Sequence, residues 1–143
     1  MKRLMMFSVL TISISISACA QQIKESKVPT AVAKALHQKY PTAKGITWEK
    51  EKTNYEANWG GKSGEDNSVQ FTPTGAFIEI VNAIPVNQLP KSILTYVATH
   101  YKGAKINEAG KVTNAQGITT YEVEVNKKDI IFDEKGAFVK VED

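Results

Sequence analysis

Across 143 residues there is one cysteine, Cys19, and one arginine, Arg3, both close to the N-terminus. The rest of the chain therefore holds no disulfide, no thiolate metal site and no cysteine nucleophile. Histidine is scarce too. His37 and His100 lack a carboxylate or second imidazole three or four residues away, the spacing a helical metal site requires. No Gly-x-Ser-x-Gly or comparable nucleophile motif is present. Asp129, Asp133 and Glu134 lack the alternating oxygen ligands of a calcium loop. These absences point to a non-enzymatic chain without metal or cofactor. An excess of one charge is missing as well. The formal charge is +3, of which Lys2 and Arg3 supply +2. Residues 24–85 carry 8 lysines against 7 acids, and residues 86–143 carry 8 against 8. With no basic stripe, nucleic-acid binding by phosphate neutralisation is not expected.

Long apolar runs are confined to Leu4–Ile16, which follows Lys2 and Arg3 and ends in small residues. That run is too short to span a bilayer comfortably, and its layout is that of an export signal over residues 1–18. Its end reads in two ways. Ile16-Ser17-Ala18-Cys19 resembles a lipobox, which makes Cys19 the lipidated first residue. Ala18-Cys19-Ala20 also fits a cleavage site that releases a soluble chain. The expected location is the cell envelope, as a periplasmic protein or a membrane-anchored lipoprotein, with secretion as the alternative. Residues 19–27 are polar and without periodicity, and read as a tether. Removing 18 of 143 residues leaves 125, enough for one module.

What the chain does have is a repeat. Pro29, Tyr40, Lys44, Phe71, Gly75 and Phe77 recur 61 positions later as Pro90, Tyr101, Lys105, Phe132, Gly136 and Phe138. One offset at six places indicates a tandem duplication, with repeats at 28–85 and 86–143. Each copy opens with a helix. Val32, Leu36 and Tyr40 form an apolar stripe after Pro29, and Ile93, Val97 and Tyr101 form its counterpart after Pro90. Four strands are expected after each helix, at 45–52, 54–59, 68–72 and 76–83, then at 105–111, 119–126, 129–133 and 137–142. Tyr55, Ala57 and Trp59 alternate with Glu56 and Asn58, as Tyr121, Val123 and Val125 do with Glu122 and Glu124. Such alternation marks an antiparallel sheet covered on one face. The expected fold is α+β: a helix plus four antiparallel strands, twice, with both helices on one face of a continuous eight-stranded sheet. The copies differ by five extra residues within Gly60–Asn67 of the first and five around Asn114–Thr119 of the second. Both are expected to be mobile surface loops.

Val28-Pro29, Tyr40-Pro41-Thr42-Ala43-Lys44, Trp48-Glu49, Tyr55-Glu56 and Phe71-x-x-x-Gly75-x-Phe77 resemble the PepSY-like family of exported, beta-lactamase-inhibitor-like bacterial proteins. Leu89-Pro90, Tyr101, Ala104-Lys105, Tyr121-Glu122-Val123 and Phe132-Asp133-x-x-Gly136 make the second copy. That copy departs from the pattern, with Glu108 or Ala109 near the place of Trp48 and Lys102-Gly103 in place of Pro41-Thr42. The resemblance implies a fold like the beta-lactamase inhibitor protein, whose curved sheet presents a protein-binding face.

Trp48 and Trp59 share parity with apolar neighbours, which places them under the helices, Trp59 nearer the rim. The polar parity supplies the partner-binding candidates Glu49, Glu56, Asn58, Gln70, Glu122 and Glu124, joined by Trp59, Gly60 and Gly61 beside the first-repeat insertion. The expected partner is an envelope or secreted protein or peptide, bound by a monomer. The second reading is a small-ligand binding or sensing lipoprotein that uses a cavity between helices and sheet or between repeats, and a simply hydrated polar face is the plain alternative. Mass spectrometry of the exported chain separates the two N-termini. The lipobox reading expects a lipid-modified Cys19 at the first position, and an unmodified chain starting at Gln21 overturns it.

Overall fold

Pro29 and Pro90 fix the starts of two matching helices, α1 (Thr30–Lys39) and α2 (Lys91–His100). Each proline is the N-cap residue, with φ of −55° and −51°, and its carbonyl accepts the first helical hydrogen bonds. Each helix ends at the repeated tyrosine, whose amide donates at 2.8 Å to the carbonyl of Leu36 or Val97. The computed structural model describes residues 21–142, so the export signal and Cys19 lie outside the described residues.

The strands are β1 (Gln21–Ile23), β2 (Thr47–Glu51), β3 (Asn54–Trp59), β4 (Asn67–Phe71), β5 (Phe77–Ala83), β6 (Ile106–Asn114), β7 (Thr119–Val125), β8 (Lys128–Asp133) and β9 (Phe138–Glu142). They form one sheet, antiparallel throughout, in sequence order. Nine strands replace the expected eight, because part of the presumed tether pairs with β2 as an edge strand, Gln22 opposite Glu49. A 3-10 turn at Glu25–Lys27 then leads into α1. α1 precedes β2–β5 and α2 lies between β5 and β6, so helices are few and the fold is mostly β.

Period-two alternation decides which face is buried. Trp48, Ala57, Val69 and Phe71 meet Val32 and Leu36 of α1 in one core cluster. Ala109, Val123, Val125, Ile130 and Phe132 meet Ile93 and Val97 of α2 in the other. Cross-strand register carries this apolar parity from Trp48 through Ala57, Val69 and Ile80 across to β6, so both helices cover the same face. Trp48 is a core residue at 2% exposure. The Asn114–Thr119 insertion is not a loose loop. β6 extends to Asn114, whose side-chain oxygen accepts from the amides of Gln116 and Ile118 and closes a tight hairpin.

The remaining repeat residues are structural. Phe71–Phe77 and Phe132–Phe138 make the same edge-on ring pair, with centroids 6.2 and 6.3 Å apart. Gly75 and Gly136 sit at hairpin tips with φ of 84° and 80°, pressed against the start of a helix. A side chain on Gly75 would lie 2.6 Å from the Ala31 carbonyl oxygen, whereas on Gly136 it would meet Ser92 Oγ, which can rotate away. Urea denaturation should therefore rank three variants. Gly75→Ala is expected to cost about 2–4 kcal/mol, Gly136→Ala less, and Gly117→Ala about 1 kcal/mol. Gly117 also has positive φ but open space around it.

Candidate functional site

The parity that sends apolar side chains to the helices sends carboxylates to the other face. In the first half of the sheet one row of register partners runs Glu49, Glu56, Gln70 and Glu79, ending on Asn114 of β6. In the second half Glu122 is flanked by Gly110 and Ile131, and Glu108, Glu124, Asp129 and Glu142 form the row beside it. Of the strand lysines Lys50, Lys111, Lys128 and Lys140, only Lys140 shares this parity. It is ion-paired with Glu142. A chain nearly balanced in charge thus sorts its acids onto one face.

This face is recessed rather than simply wet. Glu56 and Glu122 are each 7% exposed, Asn58 is 5% exposed, and Gln70 is completely buried. Twisting of strands gives the recess its shape. Glu142 on β9 and Glu56 on β3 both repel Glu79 on β5. No helix covers this side, so side chains this buried require the sheet to curl over them, which leaves the helices on its convex back.

Burial and mutual repulsion raise these carboxyls. Burial first, then repulsion from Glu56, Glu142 and Glu51, pushes Glu79 up to about 7. Glu122 is pushed up to about 9 by burial, then by Asp129, Glu142 and Glu79. Asp129 rises to about 6, chiefly through burial, and shares a hydrogen bond with Glu122 that raises Glu122 and lowers Asp129. Glu122 is thus the member that keeps the proton. Glu49, Glu51 and Glu108 are also raised, again mainly by burial. Hydrogen bonding in the recess is incomplete. Gln70 Nε2 donates to Glu56 Oε2 at 3.0 Å, while Gln70 Oε1 and Ser68 Oγ are buried without partners.

The register thus gathers Glu49, Glu56, Asn58, Gln70, Glu122 and Glu124 on the concave face. It does not bring Trp59 there. Trp59 packs with Tyr40 on the helix-bearing side, ring centroids 5.2 Å apart, because it shares parity with Ala57 and Tyr55. Gly60 and Gly61 turn the loop after β3, and Gly61 faces Asp66 across that turn. The loop borders a cleft of about 260 Å³ lined by Ser63, Glu65, Asp66, Ile84 and Glu108. Glu79, Glu108, Asp129 and Glu142 join this face without standing out in the sequence, although their strand parity matches that of Gln70 and Glu122. The apolar neighbours of Glu79 in Ala76–Val81 masked it. Asp133 acts as a turn cap, its Oδ1 accepting from the amides of Lys135 and Ala137. His37 lies beside Glu25 and His100 stacks on Tyr96, both exposed and away from the acidic recess. Among the described residues no group of three or more His, Cys, Asp or Glu is placed to hold a metal ion.

Raised carboxyl pKa values make the folded state bind protons more tightly than the unfolded chain. Their stabilising effect is full below the ordinary carboxylate range and is lost as pH climbs through about 7 for Glu79 and about 9 for Glu122. Thermal melts should therefore show higher stability at pH 5 than at pH 8.5, a difference of several degrees. A Glu79→Gln, Glu122→Gln double variant should flatten that dependence and melt higher at pH 8.5.

Comparison with known proteins follows the same lines. A protein from Bacteroides eggerthii described as periplasmic has 24% identity and a TM-score of 0.71, over 80% of this chain and 88% of its own. A DUF2874 family protein from Bacteroides uniformis has 22% identity and a TM-score of 0.69, over 79% and 87%. A BLIP-like protein from Bacteroides fragilis has 24% identity and a TM-score of 0.62, over 79% and 84%. These likenesses establish a shared fold. No curated protein matches the sequence. Among the described residues, no helix is long and apolar enough to cross a membrane. The family described as PepSY-like and beta-lactamase-inhibitor-like matches residues 14–62 and 58–140, nearly the whole of the duplicated region, and the chain belongs to that family.

Proposed function

We propose that this chain is a non-enzymatic binding module of the bacterial cell envelope that takes a protein or peptide into its concave sheet face. The observation that carries this reading is the convergence of acids from both repeats on one recessed surface, opposite the helices and outside both core clusters. Buried carboxylates without compensating charge destabilise a fold, so their concentration here is better explained by a ligand than by folding. The architecture reads as two copies of a helix-plus-four-strand unit joined edge to edge, with β1 added at one end. Duplication doubles the span of the face without a second domain. Export to the periplasm, with or without a lipid at Cys19, accords with the periplasmic description of the Bacteroides eggerthii neighbour. An enzyme captured on this face would be inhibited by the surface thereby covered.

Charge reversal at the half-buried rim tests the reading without disturbing the buried centre. Affinity capture from the native envelope by a Glu49→Lys, Glu124→Lys double variant should fall at least tenfold, with melting temperature almost unchanged. Lys34→Glu, on the exposed side of α1, should leave capture intact. Equal capture by the rim variant and the unaltered protein would reject the concave face as the contact.

A further inference from the structure

Comparing the two repeats on the concave face shows what the first one lacks. At the repeat offset, Glu79 of β5 corresponds to Lys140 of β9, and Gln70 to Ile131. The second-repeat row runs Glu122, Ile131, Lys140, and Lys140 pairs with Glu142 on the same strand. The first-repeat row runs Glu49, Glu56, Gln70, Glu79 and contains no cation of its own. At its centre Gln70 is fully buried, gives Nε2 to Glu56, and leaves Oε1 without a donor. Turning the amide over does not help, because Oε1 would then set acceptor against acceptor at the Glu56 carboxylate.

We infer that the Glu56–Gln70–Glu79 row receives one basic side chain of the captured partner, a lysine ammonium or an arginine guanidinium, supplying the positive charge that the second repeat carries within its own row as Lys140. This rests on the concave face being the binding surface. The donors match the acceptors in kind: an ammonium offers three N–H donors and a guanidinium five, against two carboxylates and a free amide oxygen, for charge-assisted hydrogen bonds. Metal chemistry fits less well, because no three carboxylates or imidazoles among the described residues are placed for ligation. A cation here also relieves the repulsion that Glu79 meets from Glu56 on β3, Glu51 on β2 and Glu142 on β9, while its β6 neighbour, Asn114, is uncharged.

Calorimetric titration of the purified protein with hexa-arginine and hexalysine peptides tests this, with hexacitrulline as the neutral twin of the first. Saturable binding of a cationic peptide is expected, tightening about tenfold from pH 6 to pH 8 as Glu79 ionises. Hexacitrulline should not bind, and the relative affinity of the two cationic peptides identifies the preferred side chain. Glu79→Lys, which installs the second repeat's cation in the first, should weaken binding at least tenfold. Glu79→Gln keeps the shape and should weaken binding at pH 8 while removing the pH dependence, which covers the case of a Glu79→Lys protein that does not fold. Peptide affinity unchanged by either substitution, equal binding of hexacitrulline, or binding of calcium chloride without any peptide binding would overturn the inference. If the peptides do not bind but rim charge reversal still abolishes envelope capture, this inference fails and the concave-face reading stands. If capture is also unaffected, both fail.

Discussion

Two helices on one side of a single antiparallel sheet impose the constraint on which everything else rests. Once α1 and α2 cover that side, the apolar residues of the strands turn mainly toward them and the alternate residues away, with Val81 and Ile131 as apolar exceptions on the far face. The register propagates this choice from β2 to β9 without a break in parity beyond local bulges. The core is therefore two clusters under two helices, linked by one continuous ladder. The opposite face inherits whatever the sequence has placed at the alternate positions, and here it has placed carboxylates.

Curvature turns that inheritance into a recess. Acids on a flat, hydrated sheet would keep ordinary pKa values and interact weakly through water. Curling the sheet away from the helices brings β5 and β9 within electrostatic reach and recesses Glu56, Gln70 and Glu122. The protein carries the resulting repulsion partly as bound protons, on Glu122 above all. Under the proposed reading, a cationic ligand would displace protons from this face, linking binding to pH through the same groups.

The repeats divide the labour between scaffold and site. Pro29 and Pro90, Tyr40 and Tyr101, the phenylalanine pairs, and Gly75 and Gly136 serve the same geometric ends in both halves. Divergence is confined to other places. Trp48 fills the first core where Ala109 stands in the second, and Glu79 stands where the second repeat has Lys140. The first exchange alters volume beneath a helix; the second alters charge on the concave face. Only the second bears on what the face can hold.

Much of this was legible in the chain itself. Proline and the i, i+4 stripe located both helices, alternation located the strands and their inner faces, and the repeat tied the halves together, because these features depend on neighbours along the chain. Polarity at Glu56, Gln70 and Glu122 was equally plain. Their burial was not, nor was the membership of Glu79, Glu108, Asp129 and Glu142, nor the recruitment of Gln21–Ile23 as a ninth strand. Strand parity put Trp59 under the helices from the sequence alone, while its closeness to a loop kept it among the contact candidates; it packs against Tyr40. Local pattern thus determined the elements and the sidedness of the sheet. Curvature and strand register, which set distances between residues far apart in sequence, decided that the polar side would be a recessed acidic cleft.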